Sequence, residues 1–244
     1  NEGRFKEGYK LDASNDYISG TINTGESTTL SLWLKNSAYD NDIPISLDGD
    51  VYASGPNLYF TTNTINWNTG DGGTNPFSSG YPNANWHQFT IVNDKTTNNA
   101  TLYIDGAYNG TATWRNTTVT NGAYRIGGWH GGGYLTSGII DEVRIYNRVL
   151  TASEVAGLYN GTKSNHIELW TTPVQGGLNE TPAPTSSNET GLVGYWKMDD
   201  LVNGNTTDSS GQGNTGVIGG AVLNSSGRFD KGYSFDGTND YITL

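Results

Sequence analysis

The chain has 244 residues, of which 34% are hydrophobic and 15% charged, and its formal net charge is −11. That charge argues against nucleic acid as a partner, because a polyanion would be repelled over most of the surface. The absence of cysteine excludes disulfides and thiolate metal sites, and no stretch approaches the ~18 consecutive apolar residues of a membrane-spanning helix. Many Gly, Asn and Thr residues together with Tyr and Trp are typical of short strands joined by tight turns.

Strands are predicted where apolar and polar residues alternate between clusters of turn-forming residues. In TLSLWLKN (29–36) the alternation places Leu30, Leu32 and Leu34 on one face. Five further strands are predicted at 57–62, 87–94, 100–106, 124–129 and 138–147. The Asp-Gly pair in ATLYIDGAYNG predicts a tight hairpin.

The strand predicted at 138–147 carries a carboxylate in an unusual place. Regular alternation would put Asp141 on the same face as Val143 and Ile145, with Glu142 on the opposite face. Asp141 is therefore expected on an otherwise apolar face.

One helix is predicted, in TASEVAGLY (151–159). Thr151 is its expected N-cap, and Glu154 three residues later completes a capping box. Gly161 is the expected terminator.

The stretch that follows the helix is rich in Pro, Thr, Ser and Asn, which predicts an extended linker over 164–189. After it, GLVGYWKMDD (191–200) predicts a new strand, and DSSGQGNTG (208–216) predicts a Gly-rich loop. The last residues, 227–244, predict a pair of strands.

Nearly the same sequence stands near both ends of the chain. Residues 3–20 (GRFKEGYKLDASNDYISG) and 227–244 (GRFDKGYSFDGTNDYITL) match at 10 of 18 positions without a gap. Self-similarity at a fixed offset indicates a repeat. We therefore expect the body and tail of one repeat at 1–163, a linker at 164–189, and the head of the next repeat at 190–244.

These motifs resemble the laminin-G-like domains of the concanavalin A-like lectin and glucanase superfamily. The resemblance is carried by GLVGYWKMDD, DSSGQGNTG and GYSFDGTNDYITL in the head, by TLSLWLK, NWHQFTIV, TLYIDG and YRIGG in the body, and by GIIDEVRIYNRVLTASEVAGLY in the tail. It implies an all-β fold, a two-sheet antiparallel jelly-roll sandwich with one short helix.

The order of these pieces departs from that family, because the head follows the body and tail. A sandwich without its head would have unpaired edges. The segment 190–244 is expected either to fold back onto its own chain or to complete a neighbouring chain by strand complementation. The linker reaches up to ~80 Å when extended, which permits both arrangements. Since one sandwich needs the duplicated strand pair only once, a unit of a longer tandem array would explain the surplus copy.

The resemblance also implies a structural Ca²⁺ near the place where head and tail meet. The residues that match are Asp141 and Asp208, since hard cations prefer mixed carboxylate and carbonyl oxygens. The alternative is that Asp208 caps a turn and that Asp141 is half-exposed at a strand end. Asp12 and Asp236 are expected to initiate turns.

A sugar-binding site is predicted at Trp129, His130 and Tyr134 in the loop GGWHGGGY. Aromatic faces beside polar groups stack on sugar rings, and Trp67 and Tyr81 offer a second set in 66–86. The alternative is that these rings pack over the glycines of their own loops.

No catalytic site is predicted. Glycoside hydrolysis needs two carboxylates about 5–10 Å apart across a cleft, whereas Asp141 and Glu142 are expected to face opposite ways. The histidines are scattered, and no P-loop or Ser-His-Asp spacing is present.

Eight N-x-[ST] sequons are candidate glycosylation sites, although this composition yields a similar number by chance. Their asparagines are Asn99, Asn109, Asn116, Asn160, Asn179, Asn188, Asn205 and Asn224.

The sequence thus predicts a non-catalytic module outside the cell, at its surface, that serves structure or adhesion. It would assemble with neighbouring copies of itself into a filament or array by sharing strands. The alternatives are a lectin-like module that binds glycans and an accessory domain of a polysaccharide-degrading enzyme.

Overall fold

The computed structural model describes residues 27–36, 41–47, 57–61, 64–68, 74–79, 82–113, 124–129, 134–164 and 190–244. Their strands form two antiparallel sheets, as the jelly-roll prediction requires. The first sheet contains β1 (Thr28–Asn36), β6 (His87–Asp94), β7 (Asn99–Ile104), β8 (Ala107–Thr113), β10 (Ser137–Tyr146), β11 (Leu192–Trp196), β14 (Val222–Asn224) and β15 (Gly232–Asp236). The second contains β2 (Asp42–Leu47), β3 (Asn57–Phe60), β4 (Thr64–Asn68), β5 (Thr74–Ser79), β9 (Tyr124–Ile126), β12 (Asn205–Thr206), β13 (Gly216–Gly219) and β16 (Tyr241–Thr243).

The first sheet runs in the order β14-β15-β10-β1-β6-β7-β8, with β11 also paired to β10. The second runs β12-β13-β16-β9-β2-β3-β4-β5. The predicted hairpin lies between β7 and β8, where Asp105 and Gly106 both have positive φ, 53° and 75°. That is the backbone of a two-residue type I′ turn, which matches the twist of the strands it joins.

The core lies between the two sheets. Leu30, Leu32 and Leu34 of β1 are all fully buried in it, which confirms the predicted alternation. The second sheet contributes Ile45, Leu58, Phe60, Ile65, Trp67, Tyr124 and Ile126.

Strands from 190–244 join both sheets of their own chain. β11 and β15 pair with β10, and β16 pairs with β9. The segment also supplies core side chains, namely Trp196, Met198, Tyr233, Phe235, Ile242 and Leu244. Pairing of the head with the body of its own chain is one of the two arrangements open to the sequence.

The single helix of the described residues is α1 (Ala152–Ser164). The predicted capping box is present: the Glu154 N–H donates to Thr151 Oγ1 at 3.2 Å, and the Thr151 N–H donates to Glu154 Oε2 at 2.7 Å. The helix does not stop at Gly161, which was predicted to end it. Nothing lies within 4 Å of the place where a Gly161 Cβ would be, so this glycine has no packing role.

The helix lies on the outer face of the first sheet and forms a second, smaller apolar cluster there. Its members are Val92, Tyr146, Leu150, Val155, Leu192 and Tyr195. Trp33 of β1 stacks on Tyr159 of the helix, with ring centroids 5.6 Å apart. The helix therefore covers the part of this outer face around β1, β10 and β11, whereas Tyr108 of β8 stays exposed.

A β-bulge in β10 changes the predicted facing of its carboxylates. Glu142 has a φ of 52°, and the register with β1 jumps between the pairs Ser31–Arg144 and Trp33–Asp141. A bulge puts one extra residue into a strand and reverses the facing beyond it. Asp141 consequently lies opposite the outward-facing Trp33, so the prediction that it faces the core with Val143 was wrong.

At one side of the sandwich the two sheets meet. A Cβ on Gly110 of β8 would lie 2.1 Å from the carbonyl oxygen of Phe77 in β5. Only glycine permits so close an approach of two backbones. Along that side, the last strand of each sheet lies against the last strand of the other.

Candidate functional site

Two of the three residues predicted to bind sugar lie together on the outer face of the second sheet. The rings of Trp129 and Tyr134 are 6.2 Å apart in an edge-to-face arrangement. Tyr59 of β3, which the sequence argument missed, joins them with its ring 5.5 Å from that of Tyr134. We call Trp129, Tyr134 and Tyr59 the aromatic cluster. His130 lies outside the described residues.

Alternation along β3 explains why Tyr59 belongs to this cluster. Its neighbours Leu58 and Phe60 are fully buried in the core, so Tyr59 faces outward. Its hydroxyl donates to Asn41 Oδ1 at 2.9 Å. The pattern NLYF alone could have placed an outward tyrosine there, but it could not say that the loop after β9 lies beside it.

Tyr134 is held in a backbone conformation that bulky residues rarely adopt. Its φ is 51°, in the left-handed region, which costs about 1–3 kcal/mol. The Tyr134 carbonyl accepts a hydrogen bond of 2.9 Å from the Ile43 N–H, which fixes the residue to β2. Its side chain is 48% exposed. Strain of this kind is typical of binding sites, where the surroundings impose it.

The loop beneath the cluster is anchored on the core. Gly127 has a φ of 88°, and a Cβ there would lie 2.2 Å from the Phe235 ring. The Gly127 N–H donates to the Pro44 carbonyl and the Gly127 carbonyl accepts from the Thr136 N–H, both at 2.9 Å. The loop that presents Trp129 is thus seated on a side chain from 190–244.

Polar groups border the cluster. Arg125 of β9 donates from Nη1 to the Trp129 carbonyl at 2.8 Å, and its guanidinium lies 4.5 Å from the centre of the Tyr241 ring. Ser46 Oγ donates to the Gly128 carbonyl at 3.0 Å. One exposed and two half-buried aromatic rings with hydrogen-bonding groups beside them have the composition of a ligand site.

Trp67, from the second predicted sugar-binding set, is in the wrong place for that role. It is fully buried in the core and contacts Phe77. Ile65, two residues earlier on β4, also points into the core. The prediction treated 66–86 as a loop, so it missed that Trp67 lies on a strand. Tyr81 lies outside the described residues.

Asp208, a predicted calcium ligand, has a structural role in its loop. Its Oδ1 accepts from the N–H groups of Tyr195 and Ser210 at 3.0 and 2.8 Å. Its Oδ2 accepts from Ser210 Oγ and the Asn214 N–H, both at 2.9 Å. A carboxylate has about four acceptor positions, so these bonds fill Asp208, and it does not fit the role of a metal ligand.

Asp141, the other predicted ligand, is fully buried. Its Oδ2 accepts from the N–H groups of Arg228 and Phe229 at 2.7 and 3.3 Å, whereas its Oδ1 is buried without a hydrogen-bond partner. Burial, with the charges of Glu142 and Asp199 adding to it, raises the pKa of Asp141 to about 8. Asp141 therefore has room for one further donor or cation at Oδ1.

The two predicted ligands do not form a metal centre with a third acid. Among the described residues, no three His, Asp or Glu side chains are grouped so as to hold a metal ion. Asp141 alone provides far fewer than the six to eight oxygens that Ca²⁺ takes. A bound Ca²⁺ stays a prediction, and of its two predicted ligands only Asp141 retains a free acceptor.

Glu142, next to Asp141, belongs to a buried charge network. Its Oε2 accepts from the Tyr195 hydroxyl at 2.6 Å and pairs with Arg144 Nη2 at 2.7 Å. The Arg144 guanidinium lies 4.0 Å from the centre of the Tyr195 ring, and burial raises the pKa of Tyr195, which keeps its hydroxyl a donor. The bulge turns both Asp141 and Glu142 outward, so the prediction that they face opposite ways was wrong. Both carboxylates are nevertheless buried, because they lie on the side of the sheet that carries the helix.

The sequons fall in varied surroundings. Asn109 and Asn160 are exposed, while Asn99, Asn205 and Asn224 are half-buried. Asn116, Asn179 and Asn188 lie outside the described residues. No helix of the described part of the chain is long and apolar enough to span a membrane.

A family model described as the concanavalin A-like lectin/glucanases superfamily matches residues 12–156. The chain belongs to this superfamily. The predicted laminin-G-like resemblance is thereby confirmed, and the concanavalin A-like fold agrees with the two antiparallel sheets. A comparison with curated protein sequences finds no significant match.

Solved structures with this concanavalin A-like fold include a candidate carbohydrate-binding protein from Bacteroides ovatus, with 15% identity and a TM-score of 0.53. That alignment covers 95% of this chain, which spans 58% of the Bacteroides protein. The CBM40 module of a Ruminococcus gnavus sialidase bound to α2,3-sialyllactose aligns at 15% identity and a TM-score of 0.46, over 58% of this chain and 94% of the module. Domain 4 of the arabinanase AbnA from Geobacillus stearothermophilus, in complex with arabinotriose, aligns at 19% identity and a TM-score of 0.45, over 64% of this chain and 84% of that domain.

Proposed function

We propose that this chain is a non-catalytic carbohydrate-binding module that acts outside the cell, and that its aromatic cluster stacks on sugar rings. The observation that supports the proposal best is the convergence of Trp129, Tyr134 and Tyr59 on the outer face of the second sheet, where Tyr134 is exposed. Membership of a superfamily that includes lectins agrees with it.

The chemistry of the cluster suits a sugar better than an apolar ligand. Tyr134 offers an exposed ring, and the Tyr59 hydroxyl and Asn41 amide offer a donor and acceptors close by. Sugar rings have an apolar C–H face and a rim of hydroxyls, so a ring beside polar groups matches both parts. A non-catalytic role fits the same reading, since the adjacent carboxylates Asp141 and Glu142 are 0% and 5% exposed.

Glycan-array screening, followed by calorimetric titration of the best glycan, tests this function. Tyr134→Ala and Trp129→Ala should each weaken binding by roughly tenfold or more, about 1.4 kcal/mol. Tyr108→Ala is the matched control, because Tyr108 is 66% exposed on β8 of the other sheet. Equal affinities for all four proteins would reject the aromatic cluster as the binding site.

A second candidate function is self-association through shared strands, which the sequence predicts. A specific observation supports it: the strands of 227–244 pair with β10 and β9 of the body, and a second copy of that sequence stands at 3–20. Negative-stain microscopy and light scattering of the purified protein test it, and a strictly monomeric protein at high concentration would reject it.

A further inference from the structure

Residues 227–244 fill a defined slot in the sandwich. This slot has two parts: the position of β15 beside β10, and the position of β16 between β9 and β13. We call it the 227–244 slot. Within it Tyr233 and Ile242 are fully buried and Phe235 is 2% exposed. Removing the segment would open the core, so the slot needs an occupant.

The first residues of the segment, Arg228 and Phe229, are held on the outer face of the first sheet. The N–H groups of Arg228 and Phe229 donate to Asp141 Oδ2. The Arg228 guanidinium lies 4.8 Å from the centre of the Trp33 ring, and the Phe229 ring meets Trp33 edge-on at 5.4 Å. These contacts use the backbone and two side chains, Arg and Phe.

The N-terminal copy, which lies outside the described residues, has the side chains that these contacts require. Phe229, Gly232, Tyr233, Asp240 and Ile242 are buried in the slot. Their counterparts in 3–20 are identical, namely Phe5, Gly8, Tyr9, Asp16 and Ile18. Arg4 matches Arg228 as well.

The copies differ at eight positions, and four of these, residues 230, 231, 237 and 238, are exposed. At the half-buried position of Ser234 the N-terminal copy has Lys10, which adds a positive charge. At buried positions the exchanges are Phe235 to Leu11, Thr243 to Ser19 and Leu244 to Gly20, which reduce volume without adding a charge. Residues 3–20 can therefore make nearly all the contacts of 227–244, with a somewhat smaller buried apolar area.

Residues 3–20 also stand at the right place in the chain. The superfamily model matches continuously from residue 12 to 156, so the second half of this copy directly precedes the body in the family's own order. Gly20 lies eight positions before the start of β1 at Thr28, and a fully extended chain of that length spans at most about 27 Å, whereas packed sheets are about 10 Å apart. The segment can thus reach the slot of its own chain.

We propose that residues 3–20 are a second occupant of the 227–244 slot, where they compete with the C-terminal copy. The inference goes beyond both proposed functions, because it concerns which copy of the duplicated segment completes the sandwich. The slot holds one occupant at a time, so binding of one copy displaces the other.

Four full-length proteins test the exchange: the unaltered chain, Tyr9→Asp, Tyr233→Asp and the double variant. A carboxylate cannot enter the fully buried site of Tyr233 unpaired, so each substitution disables one copy. We expect Tyr9→Asp to leave the melting temperature unchanged and Tyr233→Asp to lower it by only a few degrees, because residues 3–20 take over. The double variant should lose its cooperative transition. Tyr108→Asp, the same change at an exposed tyrosine, is the control.

A Tyr233→Asp protein as damaged as the double variant would overturn the proposal, as would a double variant that stays folded.

Disulfide trapping locates the segment directly, because the chain has no cysteine of its own. Ile139 pairs with Ser234, whose counterpart is Lys10. In the Tyr233→Asp protein, Ile139→Cys with Lys10→Cys should form a disulfide within one chain, seen as a monomer of altered mobility on a non-reducing gel. Ile139→Cys with Ser234→Cys in the otherwise unaltered chain is the positive control. Absence of the first bond, with the control bond formed, would reject occupation of the slot by 3–20.

Discussion

The two outer faces of the sandwich carry their polar residues in opposite ways. On the first sheet, Glu142 and Arg144 are buried beneath the helix side and bonded to each other and to Tyr195. On the second sheet, exposed Tyr134 and the half-buried rings of Trp129 and Tyr59 lie beside Asn41 and Arg125. Charged residues are thus concentrated at a buried joint of this molecule, and the aromatic cluster marks the surface that we propose binds sugar.

The largest effect should come from breaking the covered face. Arg144→Leu would leave the Glu142 carboxylate buried without its cation, which costs about 3–5 kcal/mol. Chemical denaturation should show a loss of that size in the free energy of unfolding. Arg148→Leu is the control, because its pair with Glu154 is 32% and 41% exposed and is worth about 0–1 kcal/mol. Similar losses in both variants would contradict the buried character of the Glu142–Arg144 pair.

On the uncovered face the most sensitive position is the glycine beneath the cluster. Gly127→Ala combines a left-handed φ with a Cβ 2.2 Å from the Phe235 ring, so a loss of about 1–3 kcal/mol is expected. Glycan affinity should fall with it, because the loop that presents Trp129 is displaced. Gly161→Ala, in open space on the helix, should instead stabilise by about 0.5–1 kcal/mol. A stable Gly127→Ala protein with full affinity would show that the loop is not seated as described.

The buried carboxylate of Asp141 should give the covered face a pH dependence. Its folded pKa of about 8 lies above the usual 3.8, so the folded protein holds a proton that the unfolded chain loses. Between about pH 4 and pH 8 stability should fall as pH rises, by up to about 1.4 kcal/mol per pH unit. Asp141→Asn removes this slope, and melting curves at pH 5, 6.5 and 8 compare the two proteins. Parallel pH profiles would contradict the assignment.

Calcium should produce the smallest effect of the four. If a cation sits at Asp141 Oδ1, a chelator lowers the melting temperature of the unaltered protein by a few degrees and leaves Asp141→Asn unchanged. Asp208→Asn should respond to the chelator like the unaltered protein, since the Asp208 oxygens already accept four hydrogen bonds. A melting temperature that does not change with the chelator would reject a bound cation at Asp141.

Local rules predicted the local structure well. The alternation of Leu30, Leu32 and Leu34, the capping box at Thr151 and Glu154, and the Asp105–Gly106 hairpin each depend on residues a few positions apart. The superfamily could also be identified, because its motifs are spread over many strands.

What the sequence could not supply depended on contacts between distant residues. The bulge at Glu142 shifts one register step against β1, and alternation alone cannot signal it. The family resemblance made Asp208 a candidate metal ligand. The sequence could not show that the Asp208 carboxylate accepts hydrogen bonds from Tyr195 and Asn214, because folding brings these residues together. Tyr59 entered the aromatic cluster only because β3 lies beside the loop after β9, more than sixty residues away in sequence.

The close approach of Gly110 to the Phe77 carbonyl affects where another strand could add to the sheets. Where β8 and β5 lie against each other, each edge strand shields the other from a strand of another molecule. On the opposite flank β14 and β12 end their sheets, and Val222 is 63% exposed. Among the described residues this flank is therefore the more accessible one for a strand that adds edge to edge.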